Sequence, residues 1–312
     1  MGNGRRYDSE TMRLAVTGGT GFVGSHLLDS ALAAGHSVAA LTRRDQPPRE
    51  GLDWVAGSLE DRDALRRLVY GADAIIHVAG MISAPNAAVF DKGNVEGTLA
   101  MLAAATAGGV RRFVHVSSLA AREPKLSLYG ASKAKAEELV HSSGLEWVIV
   151  RPPAVYGPGD KETLELFRMA KLGLMLMPPR GRVSVIHADD LARLMLALAG
   201  PTVPSNILVE ADDGKPGGWT HREFARALAA AVGTKPAIVS SPGIVLRAAA
   251  HLDQWWRGEK AKLTVDRAAY FSHRNWVVEP KRACPPQLWQ PAIKTADGLK
   301  QTADWYREQG WL

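Results

Sequence analysis

Short apolar runs alternate along the first half of the chain with longer stretches whose apolar residues recur at helical spacing. The runs predict strands at 13–17, 37–42, 54–56, 74–78, 112–117 and 147–151. The periodic stretches predict helices at 22–34, 62–70, 89–107, 129–142 and 164–172. Strands that alternate with helices predict an α/β fold built on a doubly wound parallel sheet. After Arg151 the texture changes. Prolines and glycines become denser, as in Met177-Pro-Pro-Arg-Gly181 and Asp213-Gly-Lys-Pro-Gly-Gly218. The pattern predicts a disordered lead at 1–11, an α/β core at 12–151, and a smaller, discontinuous C-terminal region at 152–312. A segment at about 183–210 is expected to return to the core.

The first strand runs into a glycine-rich turn, Leu14-Ala-Val-Thr-Gly-Gly-Thr-Gly-Phe-Val-Gly-Ser-His26. Gly18, Gly21 and Gly24 let the backbone approach a pyrophosphate closely. The free N–H groups and positive dipole end of the following helix hold an anion. Leu27, Leu28 and Leu32 are spaced to pack that helix on a sheet. Thr20, Phe22 and Val23 complete the candidate contacts of this turn. Ligands of such sheets bind at the carboxyl ends of the strands.

A second pattern supplies chemistry. Phe113-Val-His-Val-Ser-Ser118 reads as a strand ending in two hydroxyls, and Tyr129-Gly-Ala-Ser-Lys133 opens a helix. Residues four apart share a helix face. A free tyrosine, with a pKa near ~10, is a poor acid or base at neutral pH. A neighbouring ammonium is expected to lower it, and a serine hydroxyl is suited to bind the substrate oxygen. Side chains alternate along a strand, so Ser118 is taken as the acting hydroxyl, and Ser117 is counted with the cofactor contacts.

Together these motifs resemble the extended short-chain dehydrogenases/reductases, the branch of epimerases, dehydratases and hydroxysteroid-dehydrogenase-like reductases, over residues 12 to about 190. The resemblance implies a Rossmann sheet, a nicotinamide dinucleotide, and a Ser118–Tyr129–Lys133 site braced by Asn94 of Asn94-Val-Glu-Gly-Thr98. It places His77, Val78, Ala79 and Gly80, at the end of the fourth strand, beside the nicotinamide. It places Ser58 and Leu59 near the adenine. Arg151-Pro-Pro-Ala-Val-Tyr-Gly-Pro-Gly-Asp160 looks like the loop that opens the substrate cleft. Pro152, Ala154 and Val155 then fall on the cofactor side and Tyr156 on the substrate side. His187-Ala-Asp-Asp-Leu-Ala192 looks like the family's strand-to-helix return. Lys133 is expected to hold the ribose. Arg43 and Arg44 stand where enzymes that use NAD carry an acid, which favours NADP(H). Asp45 keeps NAD(H) open.

For the substrate, nucleotide-sugar members carry an asparagine where this chain has Ala154. The dehydratase branch carries an Asp-Glu pair where this chain reads Ser118-Leu-Ala-Ala121. Met81, Ile82, Ala84 and Pro85, with Leu172-Gly-Leu-Met-Leu-Met-Pro178, make the cleft segments apolar. Met81, Ile82, Tyr156 and Met175 are therefore the candidate substrate contacts. The reading is a ketone/alcohol oxidoreductase on a lipid-like substrate, such as a 3-keto sphingoid, a ceramide-like chain or a steroid-like ring. A sugar-nucleotide epimerase with tightly held NAD and a non-catalytic NADP(H)-binding subunit are its rivals. By resemblance, helices 89–107 and 129–142 form the face that often makes homodimers in this superfamily, so a homodimer is one expectation for this chain.

Composition is that of a globular protein: 312 residues, 46% hydrophobic and 22% charged. The formal charge of +6 comes from scattered Lys and Arg without an aromatic-basic motif. That pattern argues against nucleic acid and suits an anionic dinucleotide or a membrane surface. The single cysteine, Cys284, forbids an intramolecular disulfide and fits a reducing, cytoplasmic setting. The start has no apolar core for a signal peptide, no run approaches the ~20 apolar residues of a spanning helix, and no metal-ligand spacing is found. Tryptophan is concentrated late, at Trp219, Trp255, Trp256, Trp276, Trp289, Trp305 and Trp311. The stripe at 244–256, with Arg247, His251 and Asp253, reads either as core or as a membrane-interface helix anchored by Trp255-Trp256-Arg257. The chain is expected to close on a capped helix at 296–312.

Overall fold

The computed structural model describes residues 11–178, 180–240, 269–270 and 272–312. The expected tryptophan anchor at 255–257 and the stripe at 244–256 lie outside the described residues, as does nearly all of the expected lead.

The main sheet has seven strands in the order β11–β6–β5–β4–β1–β2–β3. They are β1 (Arg13–Thr17), β2 (Ser37–Thr42), β3 (Leu52–Ala56), β4 (Ala74–His77), β5 (Arg112–Val116), β6 (Glu146–Arg151) and β11 (Ile207–Glu210). Every pairing in it is parallel. Strand order reverses between β1 and β4, and that switch point opens a crevice at the carboxyl ends of the strands. The expected doubly wound α/β class is the one observed.

Helix α1 (Phe22–Ala33) buries Leu27 and Leu28 against one sheet face, with α7 (Ala188–Ala199) beside it. Helices α2 (Arg62–Val69), α4 (Gly97–Gly108) and α5 (Leu128–His141) cover the other. The helix expected at 89–107 is not uniform. A short α3 (Ala87–Phe90) runs into a π-helical turn at Asp91–Glu96 before α4 begins. A π turn inserts an extra residue in the helical register and re-aims its side chains.

Beyond β6, a third apolar core gathers α6 (Leu164–Lys171), α8 (His221–Val232) and α9 (Thr295–Glu308). Small sheets tie it together: β7 (Ala154–Tyr156) with β10 (Val185–His187); β9 (Arg182–Val183) with β12 (Trp219–Thr220) and β14 (Asn275–Trp276); β8 (Leu174–Met177) with β13 (Ala237–Ser240). The chain between β10 and β11 returns to the main sheet, where Ile207–Glu210 lies along β6. The expected side-chain cap on the last helix is not made: Lys294 at its start forms no capping hydrogen bond.

Candidate active site

The turn after β1 is shaped by its glycines. Gly18 has φ +75°, and a Cβ there would lie 2.7 Å from the Ala79 nitrogen. A Cβ on Gly24 would lie 1.9 Å from the Gly18 oxygen, so α1 reaches the strand only because neither residue has a side chain. Gly21 starts α1 with no side-chain cap, and no acid stands in the first turn. A Cβ on Gly21 would meet only the Gly18 oxygen, at 3.3 Å. The arrangement leaves amide donors and open space at the positive end of a helix, which fits a pyrophosphate. Thr20 is exposed here, and Phe22 and Val23 are half-buried.

At the end of β2 a cavity of about 330 Å³ is lined by Thr42, Arg43, Arg44, Asp45, Ser58 and Asp61, among others. Thr42 folds the turn by donating to the Arg44 carbonyl at 2.7 Å and accepting from the Arg44 N–H at 3.2 Å. Arg43 and Arg44 are exposed, and neither has an acidic partner among the described residues. Leu59 is turned toward α4, close enough that a Cβ on Gly97 would touch it at 2.7 Å.

At the end of β4 a chain of hydrogen bonds fixes the loop. The Ala79 N–H donates to Thr17 Oγ1 at 3.2 Å, and Thr17 Oγ1 meets His77 Nδ1 at 2.7 Å. His77 Nε2 meets Thr98 Oγ1 at 3.2 Å, and Thr98 donates to the Asn94 carbonyl at 2.7 Å. Thr98 has spent its proton, so His77 carries its own on Nε2 and accepts from Thr17 at Nδ1. Burial, with Lys133 adding to it, takes the His77 pKa down to about 3. His77, expected beside the nicotinamide, has its ring wholly buried and satisfied at both nitrogens, and it positions Thr17 and the 78–81 loop. Val78 and Ala79 are half-buried and Gly80 is exposed.

Asn94 lies in the π turn and grips that loop. Its Oδ1 accepts from the Met81 N–H at 2.6 Å, and its Nδ2 donates to the Met81 carbonyl at 3.0 Å and to Ser132 Oγ at 2.9 Å. Ser132 in turn donates to the Tyr129 carbonyl at 2.8 Å. Asn94 thus braces backbone on both sides of the crevice.

Ser118 follows β5 and caps a short 3₁₀ turn, accepting from the Ala120 N–H at 3.2 Å. It is also hydrogen-bonded to Tyr129. Burial pushes the Tyr129 phenol above its usual range, and the Ser118 bond pulls partly the other way. The expected lowering by the Lys133 ammonium is not found. Lys133 Nζ donates to the Val116 carbonyl at 2.9 Å and lies where a Cβ on Gly80 would sit 2.9 Å away. Burial lowers the Lys133 pKa to about 8, against an upward pull from Glu137.

Ser117 points the other way. It donates to Glu137 Oε1 at 2.5 Å, and Glu137 pairs with Arg151 at 2.8 and 2.5 Å. Ser117, expected among the cofactor contacts, is buried there with its hydroxyl committed to Glu137. Two expected substrate contacts are buried as well. Tyr156 is 1% exposed and packs edge-on to His187, and Met175 is fully buried, both in the third core. Met81 is half-buried and Ile82 is 55% exposed, beyond β4. Pro152 is buried and its carbonyl accepts from the Leu119 N–H at 3.0 Å; Ala154 is exposed and Val155 half-buried. Thr17, Thr98, Ser132 and Glu137 were not singled out in the sequence. Only Glu137, four residues beyond Lys133, had a readable signal.

A parallel sheet in this order, with a glycine cradle and a tyrosine–lysine helix at its carboxyl ends, defines a dinucleotide-dependent α/β enzyme. The chain belongs to the NAD dependent epimerase/dehydratase family, whose model matches residues 14–206, and so to the extended short-chain dehydrogenases/reductases. It is 39% identical to the ceramide reductase of Caulobacter vibrioides, over 96% of each chain. It is 33% identical to the 4-hydroxy-2-methyl-3-oxo-4-farnesyl-3,4-dihydroquinoline-1-oxide ketoreductase of Stigmatella aurantiaca, over 79% of this chain and 81% of the relative. The solved structure of Bordetella bronchiseptica WbmG in complex with NAD shares the fold, with a TM-score of 0.75 at 20% identity over 97% of this chain and 96% of that one.

Proposed function

We propose that the protein is a reductase of a ketone on a lipid-like substrate of the ceramide or keto-sphingoid type, with Tyr129 as proton donor. The observation that carries the reading is the 39% identity to a ceramide reductase over nearly the whole of both chains. The site agrees with it. A phenol held above its usual pKa by burial stays protonated at neutral pH, as an acid for a developing alkoxide requires. Ser118, already bonded to Tyr129, is placed to hold the same substrate oxygen. Lys133, fixed on the Val116 carbonyl, presents its charge to the crevice floor. Asn94 keeps the loop carrying Met81 and Ile82 in place. The nicotinamide dinucleotide, when bound, supplies the hydride. Arg43 and Arg44 at the β2 cavity suit the 2′-phosphate of NADP(H), while Asp45 in the same cavity supports NAD(H). The region after Arg151 is proposed to shape the substrate side of the cleft.

The test is NADPH oxidation by the purified protein with a long-chain ketone of this class. Tyr129→Phe is expected to lower kcat by about a thousandfold while NADPH binding, read by fluorescence, is unchanged. Turnover retained in that variant overturns the mechanism. Failure of the wild-type protein on every such ketone overturns the substrate class.

A further inference from the structure

The β8–β13 ribbon presents an apolar face that stays exposed among the described residues. Along β8 the side chains alternate. Met175 and Met177 enter the third core, while Leu174 and Leu176 point out, 47% and 53% exposed. The parallel register sets Ala237 beside Leu174 and Val239 beside Leu176, and Val239 is 47% exposed. Leu172, just before β8, is 83% exposed. A ribbon that only closed the core would carry polar residues on this outer face. A contiguous apolar patch with a polar rim marks a binding surface.

The rim is cationic. A groove of about 730 Å³ runs between the end of α8 and β13, sharing Ala237 and Ile238 with the ribbon. Arg222, Arg226 and Lys235 line it, and no Asp or Glu does. None of the three has an acidic partner among the described residues. Lys171 is exposed next to Leu172.

We propose that this face seats the protein on an anionic lipid surface, with the aliphatic side chains at the headgroup–acyl boundary and the groove cations on headgroup phosphates. Charge decides between this occupant and a second copy of the chain: two-fold self-pairing sets each face against its twin, and would bring like-charged grooves together. No helix among the described residues is long and apolar enough to cross a membrane, so the contact is peripheral. The inference does not depend on the substrate proposed above, because vesicle binding is read without turnover.

The experiment is co-sedimentation of the full chain with vesicles of phosphatidylcholine alone and of equal parts phosphatidylcholine and phosphatidylglycerol. Wild-type protein is expected to pellet with the mixed vesicles and much less with the neutral ones. Arg222→Gln with Arg226→Gln should weaken binding to mixed vesicles roughly thirtyfold. Leu176→Glu, which sets an anion on the apolar face, should weaken it at least about tenfold. Both variants are exposed substitutions and should keep dinucleotide binding. Failure of the wild-type protein to pellet with mixed vesicles overturns the proposal, as does wild-type binding in both variants. A dimer seen by light scattering and dissolved by Leu176→Glu reassigns the face to a second copy.

Discussion

Both nitrogens of His26 are engaged by groups that only accept: Nδ1 by the Asp189 carboxylate and Nε2 by the Pro158 carbonyl at 2.8 Å. The ring must therefore carry both protons, as imidazolium. Burial alone would lower its pKa, but the bond to Asp189 and the Pro158 carbonyl outweigh it, and the net shift is upward from 6.5. A base raised on folding stabilises fully below its unfolded pKa and loses that stability as pH rises through its folded value. The ring joins α1, the loop at Pro158 and α7, so its charge holds three elements. His26→Gln should cost about 1.5–3 kcal/mol at pH 6, the range for a hydrogen bond to a charged group. The cost should shrink at alkaline pH, as the ring titrates through its raised folded value. Urea unfolding at acidic and alkaline pH checks this, and an equal loss at both would show that the charge contributes nothing. His26 stands in the glycine motif, yet nothing in the sequence joins it to a carbonyl 132 residues away.

At the scale of elements, six of the seven strands of the main sheet were legible, the central ones because they are buried on both faces and read as unbroken apolar runs, whereas β11, half-buried and only four residues long, was not read as a strand. Arg13–Thr17 and Ser37–Thr42 appear with the expected bounds. The π turn at Asp91–Glu96 was not legible, since no residue pattern distinguishes it from a regular helix turn, although it aims Asn94. Two- and three-residue strands such as Arg182–Val183 have no period to read; their pairing depends on partners far away in the chain. That is why Tyr156 and Met175 were expected in the cleft and lie in the core instead. The end of β2 carries its own prediction. Arg43 and Arg44 face a cavity with no acid paired to them, so a 2′-phosphate would gain a charge-assisted bond there. Replacing both by alanine should lower the NADPH-over-NADH affinity ratio by about tenfold or more. Titration of each dinucleotide by fluorescence measures the ratio, and an unchanged ratio removes the assignment.

At the scale of the whole molecule, a charge network joins α5 to the segment around β14. Ser117 and Arg151 hold Glu137 on α5. Arg151 also faces Glu210 of β11 at 3.8 Å. Glu210 takes Arg122 at 3.4 Å and the Glu279 N–H at 2.8 Å. Arg122 then donates to the Val277 and Asn275 carbonyls. One run of side chains thus spans the sheet, the turn after Ser118 and the segment around β14. Removing one member leaves another charge stranded out of water, a more costly event than losing the pair together. Glu137→Gln should destabilise by about 3–5 kcal/mol. Adding Arg151→Met should give back part of that loss, because the stranded guanidinium goes with it. Urea unfolding of both singles and the double closes the cycle. If the two losses simply add, Glu137 and Arg151 are energetically independent, and the network is not coupled through that pair.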